Sequence, residues 1–120
     1  MPIHSDFKNK FSLEERKQEC SKMIAKFPDR IPIIVERSKD ATIPEMDRKK
    51  FLVPSDIMFG QFQSIIRKRI NINPATALFL FVGNNDRMIP IGQSISSVYE
   101  AEKDQDGFLY IVYTSENTFG

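Results

Sequence analysis

His4 is the only histidine of this 120-residue chain and Cys20 its only cysteine, which narrows the chemistry its side chains can perform. A Ser/His/Asp triad or a histidine-rich metal centre needs imidazole, and the one imidazole here sits near a polar, solvated terminus. Cys20 lies on the apolar side of a helical pattern with no histidine near it in sequence, so it reads as a buried structural thiol rather than an activated nucleophile. No phosphate-cradling glycine loop, catalytic pair or cofactor fingerprint stands in the chain. The expectation is a protein that is not an enzyme and uses no metal or cofactor.

The residue types point instead to recognition. Arg48, Lys49 and Lys50 precede Phe51, Leu52 and Val53, and Pro54 ends the run. Cations beside a short apolar strand, closed by a residue that cannot donate to a ladder, are features of an exposed sheet edge. A helix follows at once, with Ser55 as its expected cap, Asp56 in its first turn, Arg67, Lys68 and Arg69 in its last, and Pro74 beyond. At about 100° per residue, Phe59, Ile66 and Ile70 share one line, and Met58, Phe62 and Ile65 cluster beside it. Two readings stand. Either this is one wide core face, or Phe59, Ile66 and Ile70 face the core while Phe62 and Ile65 line a groove. An open edge next to an apolar groove is how a sheet receives an extended peptide.

The chain must supply the elements that position this stretch. Its length fits one domain with a real core. Lys plus Arg is 17 and Asp plus Glu is 16, a net charge of +1, which argues against nucleic acid as a partner. A lone cysteine forms no internal disulfide and favours an intracellular location. MPIHSDFKNK lacks the apolar core of a secretory signal, and no apolar run approaches the ~18 residues of a membrane span. Residues 1–12 read as a short helix or an arm. Residues 13–27 read as a helix opened by a capping box at Ser12 and Glu15. RIPIIVER, from Arg30 to Arg37, and ALFLFV, from Ala77 to Val82, read as strands covered on both faces, though Pro32 needs a place where its nitrogen is not paired. Met88–Ile91 is expected as a short return strand, Ser94 as the cap of a short helix, and FLYIVY, from Phe108 to Tyr113, as a central last strand. Helix, two strands, helix, strand, short helix and strand make an α+β fold of the β-grasp pattern. It is a four-stranded mixed sheet with a crossover helix, preceded by an N-terminal helical extension.

PDRIPIIVER, KKFLVPSD, GQFQSIIRKRI, ALFLFV and FLYIVY, in this order and spacing and with a glycine end, resemble the autophagy-related ubiquitin-like modifiers, the group of the GABA-type-A-receptor-associated protein and microtubule-associated light chain three. The resemblance runs from about Leu13 to Gly120. Behind an arm or short helix at 1–12, it implies a ubiquitin-like domain with an N-terminal helix at 13–115 and a flexible tail at 116–120. It implies conjugation of Gly120 to phosphatidylethanolamine on autophagosomal membranes by activating and conjugating enzymes, with a cysteine protease for processing and release; glycine suits narrow enzyme sites because it lacks a Cβ. It also implies two pockets for receptor motifs of the form aromatic-x-x-aliphatic. The aromatic pocket would comprise Glu19, Met23, Pro32, Lys50, Leu52 and Phe108, and the aliphatic pocket Phe51, Val53, Pro54, Ile57, Phe62 and Ile65. Arg30, Arg48 and Arg69 would meet acidic residues beside the motif, and Phe79 and Phe81 would contact the processing or conjugating enzymes. Microtubule association belongs to the group as well, through the N-terminal arm. Leu13 stands where that group usually has phenylalanine, with Phe11 two residues earlier, and Met23 stands where isoleucine or leucine is common.

Overall fold

Capping residues and apolar alternation account for the elements of this computed structural model, which describes residues 5–115. They run α1 (Asp6–Lys10), α2 (Leu13–Lys26), β1 (Arg30–Arg37), β2 (Lys50–Pro54), α3 (Phe59–Ile70), β3 (Phe79–Val82), α4 (Ile95–Glu102) and β4 (Leu109–Thr114). The expected capping box opens α2: Ser12 Oγ accepts from Glu15 N at 3.2 Å and Glu15 Oε1 accepts from Ser12 N at 2.9 Å. Ser94 caps α4 as expected, accepting from Ser97 N. The part of 1–12 that is described contains α1, capped by Ser5 and packed down through buried Phe7.

The strands form one mixed sheet in the order β2-β1-β4-β3. β1 and β4 are parallel and central, while β2 and β3 run antiparallel to their neighbours at the edges. β1 is buried along nearly all its length, as its continuous apolar run requires. Pro32 fits because the parallel ladder with β4 begins only at Ile33↔Leu109, so its missing N–H removes no ladder bond.

Side chains alternate across the two faces. Ile31, Ile33, Val35, Leu109, Ile111 and Tyr113 meet α3 residues Phe59, Phe62, Ile66 and Ile70 in the larger core. Ile34, Phe108 and Tyr110 meet Phe7 and Cys20 of α1 and α2 on the other face. α3 crosses the first face, and α1 and α2 cover the second.

Three local expectations need correction. Ser55 does not cap α3, which starts at Phe59 with Met58 as its cap. The carbonyls of Gln93 and Ile91 accept from Phe59 N and Gly60 N at 2.8 and 2.9 Å, and Gln61 Oε1 accepts from Met58 N at 2.7 Å. With those orphan donors satisfied, Ser55 is free to extend the sheet, donating its N–H to Asp29 O at 3.2 Å. Asp56 therefore lies in a turn, outside the helix. Met88–Ile91 is not a strand: only an isolated bridge, Val82↔Arg87, forms, because the chain instead turns to supply the carbonyls that start α3.

Candidate functional site

β2 is the edge strand that the basic and apolar run 48–54 predicts, and its alternation sorts the residues around it. Phe51 and Val53 are buried in the α3-side core. Lys50, Leu52 and Pro54 therefore face the α2 side. The residues assigned to the aromatic pocket share that side. Glu19 and Met23 come from α2, Pro32 from β1, Lys50 and Leu52 from β2, and Phe108 from the residue just before β4. Lys50 Nζ lies 2.6 Å from Glu19 Oε1 and ties the edge to α2. Both side chains are well exposed, so opening this pair costs roughly 0–1 kcal/mol. Phe108 is fully buried, edge-on to Phe7 at 5.6 Å between ring centroids, so it forms a floor rather than a wall. Leu52 and Met23 are half-buried.

The residues assigned to the aliphatic pocket lie on the α3 side, apart from Pro54. Phe62 is fully buried and packs edge-on against Phe51 at 6.1 Å. Of the two readings of the α3 pattern, Phe59, Phe62, Ile66 and Ile70 thus form one core face. Phe62 lies beneath the surface, while Ile65, 36% exposed, stands at its rim. Ile65, Lys68 and Arg69 line a depression of about 290 Å³ there. Ile57 is half-buried and Pro54 exposed.

Cations surround the edge. The Arg48 and Arg69 guanidinium carbons lie 5.1 and 5.8 Å from the Phe51 ring centroid, within cation–π reach. Arg30 Nη1 donates to Leu52 O at 3.1 Å and Arg48 Nε to Lys50 O at 2.8 Å. On the far edge, Phe79 is half-buried and Phe81 buried. Gly120 lies outside the described residues.

Sequence reasoning did not place Phe7 and Phe11 at this site. A hollow of about 280 Å³ beside α2 is lined by both, together with Glu15, Arg16, Gln18, Glu19, Lys22 and Lys50. A wider one, of about 840 Å³, takes in Asp6, Lys10 and the 47–50 run. The i, i+4 spacing of the two phenylalanines on a short helix was the signal.

Beneath this face lies a polar network. Asp106, its side chain shut off from solvent, accepts from Arg16 Nη1 at 2.7 Å and from the Tyr110 hydroxyl. Asp104 meets Lys8 and, at 3.7 Å, Arg16. Burial alone would raise the Asp104 carboxyl, but the Lys8 bond, the Asp106 amide and the two cations outweigh it and hold it below the usual range. Burial pushes the Cys20 thiol up to about 11, in keeping with a packing role. Among the described residues no group of acids, histidine and cysteine is placed to hold a metal.

The model of the family described as "Autophagy protein Atg8 ubiquitin like" matches residues 15–120. The chain belongs to the Atg8 family. It is 51% identical over 116 residues to autophagy-related protein 8e of Arabidopsis thaliana, covering 97% of this chain and 93% of that one. It is 48% identical over 118 residues to autophagy-related protein 8 of Vanderwaltozyma polyspora, covering 98% of each. The crystal structure of Trypanosoma brucei ATG8 superposes with a TM-score of 0.89 at 42% identity, covering 98% of this chain and 100% of that one. The fold is therefore the ubiquitin-like one of Atg8 proteins, and the chain is a ubiquitin-like autophagy protein. No helix among the described residues is long and apolar enough to cross a membrane.

Proposed function

We propose that this Atg8-family chain is a modifier and docking protein rather than an enzyme. In this reading it is joined through Gly120 to phosphatidylethanolamine on autophagosomal membranes, and it recruits receptors that carry aromatic-x-x-aliphatic motifs by strand addition to β2. One observation supports the docking half above all: apart from Pro54, the two sets of pocket residues lie on opposite faces of the sheet and flank one edge strand. In an added strand, residues three apart point to opposite faces, because side chains alternate with period two. An aromatic at one position and an aliphatic three later would thus reach the α2 side and the α3 side together. Arg30, Arg48 and Arg69 would face acids beside the motif. Phe79 and Phe81 lie across the sheet, where enzymes of processing and conjugation could bind without blocking the groove.

Leu52 is the better probe of the groove than Phe51, which is only 3% exposed and supports the core. Leu52→Ala is expected to weaken a motif peptide about tenfold, the scale of one buried anchor at an interface. Calorimetry giving unchanged affinity in the folded variant would remove the groove from the proposal. The conjugation half is tested by incubating the chain with activating and conjugating enzymes, ATP and phosphatidylethanolamine liposomes. The expected result is a mass gain of one lipid on Gly120 and none with Gly120→Ala. No gain, with the enzymes shown active on a sister protein, would leave a non-conjugated scaffold for microtubule or trafficking proteins.

A further inference from the structure

The edge that would receive a motif is already occupied at its acceptors. In the β1–β2 ladder, Val35 N donates to Lys49 O and Ser55 N to Asp29 O. Bonded and non-bonded pairs alternate in an antiparallel ladder. Pro32↔Leu52 and Ile34↔Lys50 are therefore the non-bonded pairs, and the N–H and C=O groups of Lys50 and Leu52 point outward from the sheet. These are the groups an added strand must use. Arg48 Nε donates to Lys50 O and Arg30 Nη1 to Leu52 O, so both outward carbonyls hold a guanidinium.

From this geometry we infer that Arg30 and Arg48 are exchangeable plugs on the β2 edge, and that an acidic residue beside the incoming motif opens the edge by drawing them off. This rests on the motif-binding reading above, which already sets acids beside the motif, and adds that two of the arginines facing them close the edge in the free chain. An arriving strand needs both carbonyls for its own N–H groups, so each arginine must leave. A peptide carboxylate offers the displaced guanidinium an oppositely charged acceptor, able to take two parallel N–H bonds, in place of the uncharged carbonyl it gives up. A neutral peptide offers no such exchange and must displace the plugs uncompensated. In the free protein the same plugs shield the edge from pairing with another copy. Arg48 is held a second time, over the Phe51 ring, so its removal takes away both contacts.

The test uses two synthetic peptides with one aromatic-x-x-aliphatic core, flanked by Asp and Glu in one and by Ser and Gly in the other. Each is titrated by calorimetry into the wild type and Arg30→Ala/Arg48→Ala. The expected outcome is a change of opposite sign: the acidic peptide binds the variant about two- to fivefold more weakly, on the scale of exposed ion pairs, and the neutral peptide binds it more tightly. A neutral peptide that binds the folded variant no better than the wild type overturns the inference. Should the double variant not fold, hydrogen exchange at the wild-type Arg48 Nε–H decides. Slow exchange in the free protein that turns fast on adding the neutral peptide supports the plug, and fast exchange in the free protein removes it. A wild type that binds neither peptide defeats the motif reading itself, and the inferred acid-driven exchange falls with it. A wild type that binds the acidic peptide while the variant loses both defeats the inference alone.

Discussion

Gly107 shows how one residue fixes the join between the two helical faces and the last strand. Its φ is +97°, a conformation that side chains rarely adopt, and a Cβ there would lie 2.7 Å from Cys20 Sγ. Its own carbonyl is used too, since the Tyr99 hydroxyl donates to Gly107 O at 2.7 Å. Gly107→Ala is expected to destabilise the fold by about 1–3 kcal/mol, the range for a side chain held in a sparsely populated conformation, and more if Cys20 cannot yield. Urea unfolding measures this, and an unchanged midpoint would mean the loop relaxes freely. The same contact gives Cys20 its role. The absence of a nearby histidine in the sequence already argued for a buried thiol, but that the thiol abuts a glycine from a loop more than eighty residues away is a tertiary fact with no local signature.

At the scale of elements, the helix starts separate what the chain shows from what it conceals. Ser12 and Glu15 satisfy each other's backbone, so the α2 start was legible from four residues. The α3 start was not, because its donors are satisfied by Ile91 and Gln93, far along the chain, and a plausible local cap at Ser55 went unused. Ser12→Ala should therefore cost about 1 kcal/mol, while Ser55→Ala should change stability by less than about 0.5 kcal/mol. Thermal unfolding of the two variants checks the pair, and equal losses would return Ser55 to a capping role. The strands were legible for a different reason: continuous apolar runs required cover on two faces, and β1 and β3 are buried along nearly all their length, although β3 lies at an edge of the sheet and only β1 and β4 are central. Phe62 was ambiguous because a 100° stripe and a groove-lining residue look alike in sequence. Its edge-on packing with Phe51 decides the matter, a contact between a strand and a helix that helical periodicity does not show.

At the scale of the molecule, charge joins the N-terminal helices to the rest of the fold. Lys8 and Arg16 reach Asp104 and Asp106, and Lys8 Nζ also sits 4.5 Å from the Tyr110 ring centroid. Ser5 and the Phe7 amide bond Glu36 on β1. Net charge near zero hid this network, because composition counts charges and not where they meet. Its pH response follows from Asp104, whose carboxyl is held below its ordinary value in the folded chain. A lowered folded pKa stabilises wherever the unfolded carboxyl would be ionised, above about pH 4. That contribution is lost as pH falls through the folded value. Burial pushes the Tyr99 hydroxyl up to about 12, so its contribution is complete below about pH 10 and declines as pH rises toward the folded value. Asp104→Asn should thus be less stable than the wild type at pH 7, with the gap narrowing below about pH 4 as the wild-type carboxyl protonates. Denaturant titrations from pH 7 to pH 3 follow the gap directly. A gap that stays constant to pH 3 would show that Asp104 acts through its shape and hydrogen bonds alone, and that its charge does not hold α1 and α2 against the sheet.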